Sequence, residues 1–209
     1  EMIDGIEVVR VWTYLAANAG TLKRILNYVS YTLTAVFFSF FLRRPDVMIA
    51  TSPQFFCGWA GLIAGKLRRV PFILEIRDIW PKSIAAVEAI SNRRVLAVLE
   101  WLEARLYRWS RWIVTVGEGY RSRLMQKGVP GEKISVIMNG MDPELFTPRA
   151  PDAALCRRYG VENRFASGYV GTIGMACGLG VVLAAAEQLR AAGRDDIVFI
   201  LVGDGAMRV

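Results

Sequence analysis

Histidine is absent from the 209 residues. Without imidazole, a Ser-His-Asp triad, a histidine acid–base pair and a Cys2His2 zinc site are all excluded from this stretch. Cysteine is scarce: Cys57, Cys156 and Cys177 stand far apart, with no metal-ligand spacing. Such sparse use fits a reducing compartment and offers no disulfide framework. No RNA- or DNA-reading motif occurs, so nucleic acid ranks last among the partners a basic chain could take.

Apolar residues are plentiful, at 54% of the chain, and mean hydropathy is +0.32, which excludes disorder and points to a densely buried α/β protein. The net charge of +7 is unevenly placed. Residues 1–150 carry 20 Lys and Arg against 13 Asp and Glu, whereas residues 151–209 carry 6 of each. A basic first part suits an anionic lipid surface or a phosphorylated substrate.

Strand-like and helix-like segments alternate. IEVVRVW (6–12), DVMIAT (46–51), PFILEI (71–76), WIVTVG (112–117) and KISVIM (133–138) are short, rich in β-branched residues and bounded by turn formers. Helical patterns fall at 22–43, 54–68, 84–109 with a break near Ser91-Asn92, and 119–128. This rhythm predicts a parallel, doubly wound sheet. NGMDPELFTPRAPDA, from Asn139, has no periodicity and reads as a linker. Beyond it a helix at 152–159, a strand at 167–172, a helix at 179–192 and a strand at 196–203 restart the alternation. Two Rossmann-like domains in tandem follow, 1–145 and 146–209. The start at Glu1 without methionine and the close on VGDGAMRV read as a piece of a longer protein, both domains truncated, the first lacking its first strand and the second breaking off early.

Residues 25–42 run 18 positions without a charge, at the lower edge of a membrane span. Basic pairs at both ends, Lys23-Arg24 and Arg43-Arg44, argue instead for a buried crossover helix. The alternative is a helix resting on a bilayer surface, a role open also to the basic, aromatic EARLYRWSRW (103–112).

In open α/β sheets ligands bind beyond the carboxyl ends of strands. There the chain places Thr51, Ser52, Pro53 and Gln54, then Arg77, Asp78, Trp80 and Pro81, then Glu118 and Gly119, then Asn139, Gly140 and Asp142. FILEIRDIWP (72–81) is the sharpest case, an apolar strand ending in a cluster of charge. GTIGMACGLG (171–180) follows a strand and opens a helix, an arrangement that lets backbone amides approach a phosphate. VGDGA (202–206) repeats it.

These residues resemble a known family. VGEGYRSRLMQKGVPGEKISVIMNGMDPELFTP is similar to the segment joining the two domains of GT-B glycosyltransferases of family 4, with Lys127-Gly128-Val129 and Asn139-Gly140-Met141-Asp142…Phe146 in family order. RDIWP resembles the Asp-x-Trp-Pro loop of members that build O-antigen and exopolysaccharide. YVGTIGMACGLGVVL and LVGDGA resemble the opening of the family's donor domain. The resemblance spans residues 6–206.

It implies a GT-B fold and transfer of a sugar from a nucleotide-diphosphate sugar, with retained configuration, in a cleft between two domains. It implies no cofactor and no obligatory metal. The acceptor would be a polyprenyl-diphosphate-linked or other glycan, the location cytoplasmic, peripheral on the inner face of the cell membrane, and the surface partner anionic lipid. Asp78 is then the catalytic candidate. Arg77, Trp80, Ser52 and Glu118 are candidates for the acceptor, and Gly171, Thr172, Gly174, Gly203 and Gly205 for the donor. Helix capping or an ion pair with Arg77 is the competing role for Asp78, pairing with Glu75 that for Arg77, packing that for Trp80, and turn or close-packing geometry that for the glycines. Asn139 and Asp142 are expected to shape a turn. The family's usual histidine near the acceptor loop is missing. Its first glycine loop would precede Glu1 and its Glu-x7-Glu element would follow Val209, so the piece alone is expected to be inactive. A nucleotide-sugar 2-epimerase of the same fold, and a non-catalytic lipid- or partner-binding module, are the alternatives.

Overall fold

The computed structural model describes residues 1–15, 21–52, 55–79 and 92–208. The chain divides into two compact units, Glu1–Gly140 and Met141–Val209.

The first unit opens on a hairpin of β1 (Met2–Ile3) and β2 (Ile6–Glu7), paired antiparallel. The expected strand 6–12 is therefore only two residues long. The cause is Asp4-Gly5, whose φ values of 49° and 80° form the turn that folds the segment back on its own neighbour. Val8 N–H donates to the Glu1 carbonyl at 2.8 Å and closes the loop.

Helix α1 (Thr21–Ser39) leads to β3 (Met48–Ser52), α2 (Phe55–Arg68), β4 (Phe72–Ile76), α3 (Arg93–Trp109), β5 (Trp112–Thr115), α4 (Glu118–Gln126) and β6 (Ile134–Val136). The sheet order is β3-β4-β5-β6 and every pairing is parallel. β4 alternates buried and half-buried residues, with Phe72, Leu74 and Ile76 inward. They join Leu62 of α2, Leu106 of α3, Ile113 of β5 and Leu124 of α4 in one core. Burying such side chains stabilises the unit by about 2 kcal/mol each. The expected break near residue 92 is a helix start: the Asn92 side chain accepts from the amides of Arg94 and Val95 at 2.9 and 3.4 Å. Residues 84–91 of the expected helix lie outside the described residues.

Among the described residues the crossover helix α1 is covered on one side only. It packs on α2, with Tyr28 stacked on Phe56, while Leu33 is 65% and Phe37 59% exposed. Among the described residues no helix is long and apolar enough to cross a membrane.

The second unit holds α5 (Ala153–Tyr159), β7 (Phe165–Val170), α6 (Gly180–Ala191) and β8 (Ile197–Val202). β7 and β8 pair in parallel from Phe165↔Ile197 to Val170↔Val202. The expected α/β class with parallel sheets is what forms.

Candidate functional site

At the carboxyl edge of the first sheet, β3 and β4 end level, with Ser52 opposite Ile76. The Ser52 carbonyl accepts both amides that follow the neighbouring strand β4, Arg77 N–H at 3.1 Å and Asp78 N–H at 3.2 Å. The Ser52 hydroxyl donates back to the Asp78 carbonyl at 3.3 Å. Ser52 is only 7% exposed, so it acts as a brace for the turn. Ile79 is buried behind that turn, and the side chains of Arg77 and Asp78 are left facing solvent.

The charges crowding this end are thereby sorted. Glu75 lies within the strand and accepts from Thr51, its direct neighbour on β3, at 2.5 Å. Arg77 turns the other way: its guanidinium donates to the Asn139 side-chain oxygen at 3.2 Å. Since β5 lies between β4 and β6, this bond bridges the end of the middle strand. Among the described residues no ion pair joins Arg77 to Asp78. Asp78 therefore presents its carboxylate beside a cation held by a different partner. Trp80, Pro53 and Gln54 lie outside the described residues, as does the segment that Asp78 was expected to cap.

Glu118 opens α4 on the same edge, beyond β5, where a carboxylate favours the positive end of the helix. It faces Arg121 at 3.6 Å and stays exposed, a pairing worth under about 1 kcal/mol. Ser52, Arg77, Asp78 and Asn139 are thus brought together, and Glu118 stands at the adjacent strand end. In the second unit Asp142 accepts from the Glu144 amide at 2.9 Å and shapes a turn, as its sequence context suggests.

The glycine loops of the second unit are laced to each other. Gly171 N–H donates to the Val202 carbonyl at 2.9 Å, Ile173 N–H to the Asp204 carbonyl at 2.9 Å, and Met207 N–H to the Ile173 carbonyl at 3.0 Å. This close passage explains two glycines. A methyl group on Gly203 would strike the Gly171 carbonyl, and one on Gly205 would strike the Ile173 backbone. Gly174 differs, because the nearest atom to a methyl there is Thr172 Cγ2 at 3.7 Å. The Thr172 carbonyl accepts from Tyr169 Oη at 2.9 Å and from Cys177 Sγ at 3.0 Å. The phenol beside it lowers the Cys177 thiol pKa, helped by the Gly174 backbone, and the same contact raises that of Tyr169. Sequence reasoning missed this pair, although Cys177 falls inside the glycine-rich loop. At the start of α6 the amides of Val181 and Val182 already bond to Gly178 and Leu179 at 3.0 Å, which leaves less of the helix end open to an anion than the pattern suggested.

A second polar cluster lies at the opposite, amino edge of the first sheet. Glu103 of α3 is 3% exposed and accepts from Tyr107 Oη at 2.6 Å and from Lys127 Nζ. Burial, then the charge of Glu103, pushes the Tyr107 phenol far up. Lys133 donates to the Tyr107 and Arg108 carbonyls at 2.7 and 3.0 Å, and burial beside Arg111 lowers its pKa. These groups line a cavity of about 640 Å3. Lys127-Gly128-Val129, singled out in the sequence, therefore serves here as a helix end: Gly128 takes φ 84°, Val129 N–H returns to the Leu124 carbonyl, and Lys127 neutralises Glu103. Among the described residues no cluster of carboxylates and cysteines is placed to hold a metal.

Residues 1–140 match the family model described as "Glycosyl transferase 4-like domain". Over 98 residues, 46% of the chain, the sequence is 29% identical to the amylovoran biosynthesis glycosyltransferase AmsK of Erwinia amylovora, of which the match covers 23%. The structure is similar to Anabaena HepE solved with UDP and glucose, at 21% identity and a TM-score of 0.60, over 90% of this chain and 45% of that one. It is similar also to HepE solved with UDP-glucose, at a TM-score of 0.60 over 88% and 45%. The chain thus spans under half the length of these relatives, and the likeness to HepE shows a shared fold, of GT-B type. The chain belongs to the glycosyl transferase 4-like domain family.

Proposed function

We propose that this chain is part of a retaining glycosyltransferase that moves a hexosyl or N-acetylhexosaminyl residue from a nucleotide-diphosphate sugar to a glycan acceptor in cell-surface polysaccharide biosynthesis. The observation that carries the reading is the family match over residues 1–140, which includes the exposed Arg77–Asp78 turn. The name of AmsK supports polysaccharide assembly, and the UDP-glucose held by HepE supports a nucleotide-sugar donor.

In this reading the first unit serves the acceptor. Asp78 faces the reacting hydroxyl or the donor sugar, and Arg77, fixed by Asn139, meets the phosphates of a polyprenyl-diphosphate-linked acceptor. Arg is suited to that task because its fork of donors matches phosphate oxygens. The second unit serves the donor: Gly171, Thr172 and Gly174 lie against its diphosphate, while Gly203 and Gly205 hold the loop in place. No metal is required, and the enzyme works on the cytoplasmic face of the cell membrane.

The test is a panel of nucleotide sugars offered to the full-length protein with a pyrophosphate-linked acceptor. Release of nucleoside diphosphate, undiminished by a chelator, and product of the donor's anomeric configuration are the expected results. Failure of every donor to support transfer would sink the reading.

A further inference from the structure

Helix α3 carries a face with an unusual pairing of side chains. Arg94, Val98, Trp101, Arg105 and Arg108 recur every three or four residues and fall on one side of the helix, with Trp109 at its margin. The acids of α3 lie elsewhere: Glu103 is buried against Lys127, and Glu100 lines the cavity beside it. Among the described residues none of the three arginines forms an ion pair.

Its aromatics are neither buried nor bare. Trp101 is 54% and Trp109 41% exposed. The Arg105 guanidinium lies over both rings, 4.6 Å from that of Trp101 and 5.5 Å from that of Trp109. Lys66 of α2 caps Trp109 at 3.6 Å, and Trp59 of α2 meets Trp109 edge to face at 6.1 Å. The ladder therefore continues from α3 onto α2. An ordinary solvated helix face would pair its arginines with acids one turn away and would not display two tryptophans. Indole rings alternating with unneutralised cations match the depth at which a bilayer places its headgroups, with rings at the acyl boundary and guanidinium groups at the phosphates. The apolar stripe of α1 lacks such seated cations, and nothing on the molecule says what covers it.

We infer that the tryptophan–cation ladder of α3 and α2 is a docking surface for an anionic lipid bilayer, with α3 lying in the plane of the membrane. It gives the membrane-peripheral part of the proposed function a defined face. The 17 residues of α3 span about 25 Å, from its start toward the carboxyl edge of the sheet to its end at the amino edge.

The test is co-sedimentation of the full-length protein with vesicles of phosphatidylcholine alone and of phosphatidylcholine mixed equally with phosphatidylglycerol. Binding is expected only to the mixed vesicles and is expected to weaken as salt rises. Trp101→Ala with Arg105→Glu should lower partitioning at least about fivefold for the charge alone. Arg157→Glu, which makes the same change in charge on the second unit, should leave it unchanged. Quenching of tryptophan fluorescence by brominated lipid should fall with Trp101→Ala. Should Arg105→Glu disturb folding, Arg94→Glu with Arg108→Glu tests the same face at exposed positions. Wild-type partitioning in both sets of variants would overturn the assignment of this face and leave a peripheral enzyme bound by another. No binding to either vesicle would overturn the membrane reading itself, while transfer to a detergent-dispersed acceptor reports separately on the sugar chemistry. Self-association without lipid that these substitutions abolish would also overturn the inference, since it would make the face a protein interface.

Discussion

The Arg77 guanidinium donates to the side-chain oxygen of Asn139 at 3.2 Å, tying the end of β4 to the chain that leaves β6. If Arg77 meets acceptor phosphate, this bond holds it in place beforehand. Asn139→Ala is then expected to raise the acceptor KM roughly fivefold, about 1 kcal/mol, with an unchanged melting temperature. Arg77→Ala should raise it further. Steady-state kinetics on the full-length enzyme decide the matter, and an unaltered KM in both variants would remove the pair from the acceptor site.

Asp78 shows its carboxylate to solvent while its main chain is fixed at both amide and carbonyl. Asp78→Asn keeps the shape and removes the charge. Turnover should fall at least about tenfold, or 1.4 kcal/mol, with donor KM little changed. Undiminished turnover would return Asp78 to a structural role.

Lys127 and Glu103 make a testable pair far from that edge. Lys127→Met leaves a carboxylate that is 3% exposed without its cation and should cost about 3 kcal/mol in urea denaturation. Glu103→Gln combined with Lys127→Met should recover most of the loss, because no uncompensated charge remains and the Tyr107 hydroxyl keeps an acceptor. Additive losses in the double variant would contradict the pairing.

The two kinds of glycine in the second unit should respond differently. Gly203→Ala drives a methyl group into the Gly171 carbonyl and should destabilise that unit by about 2 kcal/mol or more. Gly174→Ala has room, with 3.7 Å to its nearest neighbour, so the fold should hold. If the donor diphosphate approaches there, donor KM rises while the thermal melt does not move. A donor KM that stays at the wild-type value would place the diphosphate elsewhere.

Alkaline pH should weaken the contact of α1 with α2. Burial raises the Cys57 thiol pKa, and burial together with the charge of Cys57 raises that of Tyr31. Both groups hold their protons more tightly in the folded than in the unfolded chain. The stability this contributes is complete below the unfolded thiol value of 9.0 and is lost as pH climbs through the raised folded value. Urea midpoints should therefore fall as pH rises above about 9, and less steeply in Cys57→Ala. Equal slopes in the two proteins would exclude the thiol as a source.

The parallel strands were legible because β-branched runs bounded by turn formers have few other uses. The helix start at Asn92 was legible only as a break, since a cap and an interruption look alike until the amides are placed. Ile6–Trp12 read as a sheet strand because its own residues favour one, whereas Asp4-Gly5 just before them decides the pairing. Arg77 and Asn139 stand 62 positions apart, and no local pattern announces that they touch. Glu103 and Lys127, 24 apart, were invisible for the same reason. For the glycines, composition marked where side chains are absent, and only the packing of one loop on the other showed that Gly203 and Gly205 make room for protein backbone.

One carbonyl, that of Ser52, receives both amides of the Arg77–Asp78 turn, and Ser52 ends β3. The turn is thereby geared to β3. Whatever displaces β3 displaces the Asp78 main chain along with it, through Ser52. The aim of an exposed carboxylate is then governed through a neighbouring strand that contributes no charge to the edge it steers.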